Sequence, residues 1–198
     1  MRMPAAGVVL LAVAILAVAA LWPRITRAEL LKEGDVAPSF STQMVQGDQI
    51  APVALADLHG KKVILYFYPK DDTPGCTKEA CTFRDGFARF QSAGVVVLGC
   101  SIDTSDSHRA FIKKYSIPFP LLLDPDKKIA AEYGAANGIP ILGLDRRITY
   151  VIDEDGKIQK VYPKVDPSQH VTQILADLHV PEHPVAAAPA ASPGAAMN

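Results

Sequence analysis

Two cysteines near the middle of the chain, Cys76 and Cys81, lie five positions apart. Cys76 is preceded by Thr73-Pro74-Gly75, and a hydroxyl residue followed by proline is typical of a helix start. Cys76 would then be the third helical residue, where unpaired backbone N–H groups and the helix dipole favour a thiolate. We therefore predict that Cys76 is a nucleophile. The alternative is a small apolar side chain in the core, since free cysteines are often buried.

Strand and helix patterns alternate on both sides of this motif. Apolar runs predict strands at 63–68, 95–98 and 121–123 and two hairpins, 40–45 with 49–53 and 148–152 with 157–162. Helices are predicted from Pro74 to about Gly94 and at 106–115, 126–133 and 168–178. Such an alternation indicates a single α/β domain, with a mixed sheet and helices on both faces.

The spacing Pro69-x-x-x-Thr73-x-x-Cys76 resembles the signature of peroxiredoxins, which are thiol peroxidases with a thioredoxin-like fold. The string that continues to Cys81 is similar to the Q-type, or bacterioferritin-comigratory, subgroup. The resemblance covers residues from about 34 to 157. It implies a thioredoxin-like mixed sheet flanked by helices and an antioxidant enzyme that reduces hydrogen peroxide and organic hydroperoxides. It implies neither a cofactor nor a bound metal.

By the same resemblance, Cys76 is the peroxidatic cysteine and Cys81 the resolving one, and the two form an intramolecular disulfide. In a continuous helix, Cα atoms five residues apart are separated by about 9 Å, whereas a disulfide tolerates at most about 7 Å. The first turns of the helix must therefore unwind after Cys76 becomes a sulfenic acid. The implied reductant is thioredoxin or a thioredoxin-like protein, and the implied oligomeric state is a monomer.

The resemblance also implies a pocket around the Cys76 thiol. The Thr73 hydroxyl, the Cys76 backbone N–H and the Arg147 guanidinium would stabilise the charge on the departing peroxide oxygen. Arg147 begins a predicted strand, so its neighbour Arg146 must face the other way. The remaining predicted pocket residues are Pro69, Pro74 and Gly75. The segment Ala135–Asp145, which leads to Arg147, departs from the subgroup pattern, so the peroxide preference stays open.

Two other functions can be weighed from the residues. A membrane-anchored thiol-disulfide oxidoreductase of the same fold would use Cys-x-x-Cys, a shorter spacing than the one found here. A metal-binding chaperone would need about four ligands, and no pair of histidines has ligand spacing on a dependable helix. The histidines are His59, His108, His170, His179 and His183. The third cysteine, Cys100, ends an apolar strand and is predicted to be a buried core thiol.

The composition limits the possible partners. The 198 residues include 20 Lys and Arg against 21 Asp and Glu, a net charge of -1, so no basic excess is available to bind nucleic acid. Three cysteines are too few for a small domain stapled by disulfides. Although 49% of the residues are hydrophobic, many of these lie at the two ends of the chain.

The ends of the chain differ from the middle. No charged side chain occurs from Met3 to Pro23, and about 20 apolar residues can span a bilayer as a helix. We therefore predict a signal peptide or membrane anchor at 1–28, with an N-terminal hydrophobic helix, and a membrane-anchored or periplasmic, exported protein. Residues 181–198 contain four prolines and seven alanines and are predicted to be a disordered tail, which leaves 29–180 as the peroxiredoxin domain.

Overall fold

The computed structural model describes residues 29–136 and 143–182. The strands are β1 (Ser41–Gln46), β2 (Gln49–Ala54), β3 (Lys62–Phe67), β4 (Val95–Ser101), β5 (Leu121–Leu123), β6 (Ile148–Ile152) and β7 (Ile158–Tyr162). The helices are α1 (Pro74–Ser92), α2 (Ser105–Tyr115), α3 (Lys128–Glu132) and α4 (His170–Asp177), with a 3₁₀ turn at Leu55–Leu58.

All seven strands form one mixed sheet in the order β2-β1-β5-β4-β3-β6-β7. Strands β3, β4 and β5 are parallel, whereas β6 runs antiparallel to β3 and forms a hairpin with β7. The β1–β2 hairpin joins the sheet through an antiparallel contact with β5. The predicted mixed α/β sheet and both predicted hairpins are confirmed.

Strand β3 separates two apolar cores because successive side chains point to opposite faces of a sheet. Ile64 and Tyr66 pack in the core that lies beneath α1, α2 and α4. Leu65 and Phe67 pack in the other core, with side chains of α3 and β6. Burial on both faces explains why β3 is continuously apolar. The chain that follows β3 therefore leaves the sheet between the two cores and leads to the start of α1.

Helix α1 has the start that the sequence predicts. Thr73 has extended backbone dihedral angles, Pro74 is the first helical residue, and the chain leaves the helix through Gly94, whose φ is +70°. Close packing holds the far part of the helix on α4, because a Cβ added at Gly86 would lie 2.7 Å from Val171 Cγ1. Cys76 and Cys81 both lie near the start of this long, continuous helix.

Some predicted boundaries were wrong by one or more residues. Arg147 precedes β6 instead of beginning it, since Ile148 already pairs with Phe67, the last residue of β3. Helix α3 is shorter than predicted, and the 3₁₀ turn at Leu55–Leu58 was not predicted. The predicted N-terminal helix in 1–28, and all but two residues of the predicted tail, lie outside the described residues. Among the residues described, no helix combines the length and apolarity that crossing a membrane requires.

Candidate active site

The Cys76 thiol lies in the first turn of α1, as predicted. Only 2% of the residue is exposed, and it is part of the core beneath the helix. Thr77, the next residue, makes the first hydrogen bond of the helix, from its N–H to the Thr73 carbonyl at 2.8 Å. The backbone N–H of Cys76 precedes that bond and belongs to the turn in which such groups have no helical acceptor. Such N–H groups can donate to a negatively charged group bound at the start of the helix.

A single guanidinium joins Cys76 to a buried carboxylate. Arg147 Nη2 donates to Cys76 Sγ at 3.2 Å, and Arg147 Nη1 forms an ion pair with Glu79 Oε2. The Arg147 side chain is 18% exposed and that of Glu79 is fully buried. Because Ile148 is paired with Phe67, the last residue of β3, the backbone of Arg147 is held at the end of the sheet from which the chain continues to α1. The contacts with Glu79 and Cys76 then hold the guanidinium itself.

Glu79 was missed by the sequence analysis. Burial raises the pKa of its carboxyl to about 7, although the Arg147 charge acts in the opposite direction. The available signal was its position three residues after Cys76, which places both side chains on one face of a helix. A glutamate in a helix is usually solvated, however. Its burial depends on Arg147, which is 68 residues away in the sequence.

Arg146 has different contacts from its neighbour. Arg146 Nη1 donates to the Gly134 carbonyl at 3.3 Å, and its backbone N–H donates to the Ala135 carbonyl. The structure therefore places Arg147, and not Arg146, beside Cys76.

The other predicted pocket residues surround the start of α1. The Thr73 hydroxyl donates to the Lys70 carbonyl at 3.0 Å and makes no capping bond to the helix. Pro69 and Gly75 are half-buried, and Pro74 is exposed. A Cβ added at Gly75 would lie 3.2 Å from Arg147 Nη2. Glycine at this position thus lets the guanidinium approach the helix.

The three cysteines have distinct environments and are all free thiols. Cys81 is half-buried in the second turn of α1. Cys100 is fully buried in β4, where burial and then the charges of Asp124 and Asp145 raise the pKa of its thiol. The prediction of a core thiol at Cys100 is confirmed.

Comparisons with known proteins identify the family. The model of the AhpC/TSA family matches residues 34–161. The chain is 46% identical over 153 residues to a putative peroxiredoxin bcp of Coxiella burnetii, which covers 75% of this chain and 99% of that protein. It is 43% identical over 144 residues to the chloroplastic peroxiredoxin Q of Sedum lineare, covering 72% and 75% of the two chains.

Solved structures agree with the sequence relatives. Peroxidoxin BcpB of Mycobacterium tuberculosis matches with a TM-score of 0.67 at 33% identity, over 75% of this chain and 97% of that one. PrxQ of Xylella fastidiosa matches with a TM-score of 0.69 at 25% identity, over 76% and 97%. The fold is therefore thioredoxin-like, and the chain belongs to the AhpC/TSA family as a peroxiredoxin of the Q or bacterioferritin-comigratory type, a thiol-dependent peroxidase.

Proposed function

We propose that Cys76 is the peroxidatic cysteine and that Arg147 and the first turn of α1 form its peroxide site. The observation that carries this proposal is the 3.2 Å contact between Arg147 Nη2 and the buried Cys76 Sγ. A cation in direct contact favours the thiolate form of a cysteine. The same cation can stabilise negative charge that develops on a bound peroxide.

In the first step, the Cys76 thiolate attacks the terminal oxygen of a hydroperoxide and the O–O bond breaks. Cys76 becomes a sulfenic acid, and the leaving alkoxide or hydroxide takes a proton from water. For thiols in general, a lower pKa raises the thiolate fraction but also lowers the nucleophilicity. The acceleration must therefore come mainly from stabilising the leaving oxygen, a role that we assign to Arg147 and the Cys76 N–H.

Thr73 acts differently from the sequence expectation in this scheme. Its hydroxyl proton is directed to the Lys70 carbonyl, so the hydroxyl oxygen is free to accept a hydrogen bond from the O–H of a hydroperoxide. Thr73 would then orient the peroxide, while Arg147 stabilises its charge. Pro69, Pro74 and Gly75 shape the backbone around this pocket.

In the second step, the Cys81 thiol condenses with the sulfenic acid, which forms a disulfide and releases water. Both cysteines lie in one continuous helix, so the turn that contains Glu79 must open. The Thr82 hydroxyl lies 2.8 Å from the Glu79 carbonyl of that turn and 3.2 Å from the Pro167 carbonyl, so its proton can pass to Pro167 when the turn opens. Because the disulfide is internal to one chain, the enzyme can act as a monomer.

In the third step, an external dithiol reduces the disulfide, which restores both thiols and oxidises the reductant. A thioredoxin or thioredoxin-like protein is the proposed reductant. Hydrogen peroxide and organic hydroperoxides are the proposed substrates. Among the similar structures, the bacterioferritin comigratory protein of Xanthomonas campestris is described by its alkyl peroxide reduction activity.

Mass spectrometry of the protein after one equivalent of hydrogen peroxide tests the cysteine assignment. We expect a disulfide between Cys76 and Cys81, no oxidation in Cys76→Ser, and a sulfenic acid on Cys76 in Cys81→Ser. Cys100→Ser is the matched control and should behave as the wild type. A persistent sulfenic acid in the wild type with Cys81 still reduced would contradict resolution by Cys81.

We also propose that residues 1–28 direct the enzyme to a membrane or out of the cytoplasm. This proposal is supported by the uncharged stretch from Met3 to Pro23, which is long enough to span a bilayer. Cell fractionation with N-terminal sequencing should find the intact chain in the membrane fraction, or a shortened chain in an exported fraction. An intact chain in the cytosolic fraction would overturn the proposal.

A further inference from the structure

A buried polar cluster holds the loop between β3 and α1. The Asp71 carboxylate accepts hydrogen bonds from Tyr68 at 2.7 Å and Ser107 at 2.8 Å, and its Oδ2 lies 2.8 Å from His108 Nδ1. The Asp71 backbone N–H donates to Asp103 Oδ2 at 2.8 Å. Asp71 is only 6% exposed and Asp103 only 8%. We call these five residues the Asp71 cluster.

His108 connects the cluster to the sheet. It is fully buried in α2, and its Nε2 lies 3.2 Å from the carbonyl oxygen of Leu122 in β5. Both ring nitrogens therefore face oxygen acceptors, which holds the ring from two sides. The loop is thereby tied to an internal strand through a single side chain.

The next loop residue, Asp72, has an unusual backbone conformation. Its φ is +55°, in the left-handed region that is unfavourable for residues other than glycine. The Asp72 carboxylate is held from the surface by Lys114 at 2.7 Å and by the Tyr115 hydroxyl. Both partners belong to the end of α2. Buried and exposed contacts with α2 thus hold two successive loop residues, directly before Thr73, the N-cap of α1.

We propose that Asp71 and His108 are positioning residues that fix the start of α1 and thereby set the balance between the peroxide step and the opening of the helix. This inference rests on the roles proposed for Cys76 and Cys81. The partners of Asp71 come from three places. Tyr68 belongs to the loop itself, Asp103 lies two residues after the end of β4, and Ser107 and His108 belong to α2. None of the five lies in the segment 74–81 that must unwind, so the cluster stays formed while the helix opens.

The Asp71 cluster would therefore hold the chain in place directly before the segment 74–81 that unwinds. With the cluster intact, the first turn of α1 closes with Cys76 against Arg147, which the peroxide step needs. With the cluster broken, the turn gains conformations in which this contact is lost. We expect the peroxide step to slow and the condensation with Cys81, which needs the open turn, to become faster.

Paired substitutions of His108 give the sharpest test. In His108→Asn the amide can replace Nδ1 and donate to Asp71, whereas in His108→Gln it reaches towards the Leu122 carbonyl instead. We expect His108→Gln and Asp71→Asn to lower kcat/KM for hydrogen peroxide about tenfold. Ser107→Ala, which removes one donor, should lower it about threefold. His108→Asn should stay within about threefold of the wild type.

The readout is rapid quenching with alkylation and mass spectrometry, which resolves sulfenic acid, disulfide and sulfinic acid on Cys76. In His108→Gln and Asp71→Asn, the sulfenic acid should convert to the disulfide several-fold faster, with less sulfinic acid formed per turnover. Asp124→Asn is the control, because Asp124 is a buried carboxylate whose oxygens accept from the Ile129 and Ala130 N–H groups of α3. It should change neither rate.

Two results would overturn the inference. One is an unchanged peroxide step in both His108→Gln and Ser107→Ala. The other is a slower peroxide step with an equal loss in Asp124→Asn, which would show a general effect of stability. Since Ser107→Ala removes only a hydroxyl, it keeps the test decisive where a larger change unfolds the protein. The proposed roles of Cys76 and Cys81 would stand in either case, because the wild-type disulfide tests them separately.

Discussion

Two cysteines of this chain are almost equally buried and have opposite surroundings. Cys76 is 2% exposed and Cys100 is fully buried. Cys76 accepts a hydrogen bond from a guanidinium at the start of a helix, whereas Cys100 lies in a strand where burial and acidic neighbours raise the pKa of its thiol. If Cys76 is the peroxidatic cysteine, as we propose, burial alone does not make a thiol inert. The charges and donors beside the sulfur would then decide which cysteine reacts with peroxide.

The largest expected effect is that of removing the cation. Arg147→Ala should lower kcat/KM for hydrogen peroxide by about 10²- to 10³-fold, because removing one preorganised donor from a charge-stabilising site has an effect of this size. Steady-state assays with a dithiol reductant measure the loss. Arg146→Ala is the matched control, since its guanidinium contacts the Gly134 carbonyl, and equal losses in both variants would refute the special role of Arg147.

The next largest effect is expected from Glu79, whose carboxylate holds the Arg147 guanidinium. Above pH 7, where Glu79 is mostly ionised, Glu79→Gln should lower the peroxide rate about tenfold, because a neutral amide holds the guanidinium less firmly than an ionised partner does. Stopped-flow mixing with hydrogen peroxide measures this rate. An unchanged rate would show that Arg147 is positioned by the sheet alone.

Glu79 also predicts a pH dependence of stability. Its pKa is about 7 in the folded chain against an ordinary value of 4.5, so the folded state binds more protons between these two pH values. The stabilisation is therefore greatest below pH 4.5 and is lost as the pH rises to about 7. Urea unfolding of wild type and Glu79→Gln should show their difference in unfolding free energy fall by up to about 3 kcal/mol over this range. A constant difference would contradict the raised pKa.

A smaller effect is expected at Gly75, where the absence of a side chain lets the Arg147 guanidinium approach the helix. In Gly75→Ala, the new Cβ would lie 3.2 Å from Arg147 Nη2, so the guanidinium must shift slightly. We expect a loss of about threefold in the peroxide step. Alanine also favours the helix by about 1 kcal/mol relative to glycine, so formation of the disulfide should slow. Faster disulfide formation in rapid-quench experiments would argue against unwinding at this turn.

The smallest effect is expected at the second buried thiol. Cys100→Ser should keep the peroxide rate within about twofold of the wild type, because Cys100 has no proposed role in the reaction. It should lose stability, since the serine hydroxyl would be buried in the apolar core. Peroxide kinetics and thermal unfolding measure the two effects, and a large kinetic loss would remove the distinction between the two cysteines.

Local sequence patterns predicted the part of the site that is formed by the start of α1. The Thr73-Pro74 start, the position of Cys76 in the first turn and the alternating strands follow from rules that act over a few residues. Strand alternation indicated only that Arg146 and Arg147 face opposite ways, so the choice of Arg147 came from the resemblance to a family.

The rest depends on contacts between distant parts of the chain. Glu79 becomes a buried partner only through Arg147, and Asp71 is held by Ser107 and His108, 36 and 37 residues further along the chain. In the sequence, Asp71 looks like an ordinary loop residue. Such partners can be identified only when the sheet order and the packing of α2 are known.

Site-resolved oxidation within one molecule distinguishes the reactive cysteine from the buried core thiol most directly. Wild-type protein is mixed with one equivalent of hydrogen peroxide, quenched at successive times and digested, and the oxidation of each cysteine is measured by mass spectrometry. We expect Cys76 to oxidise first and then to form the disulfide with Cys81, while Cys100 stays reduced throughout. Oxidation of Cys100 at a rate comparable to that of Cys76 would contradict this expectation.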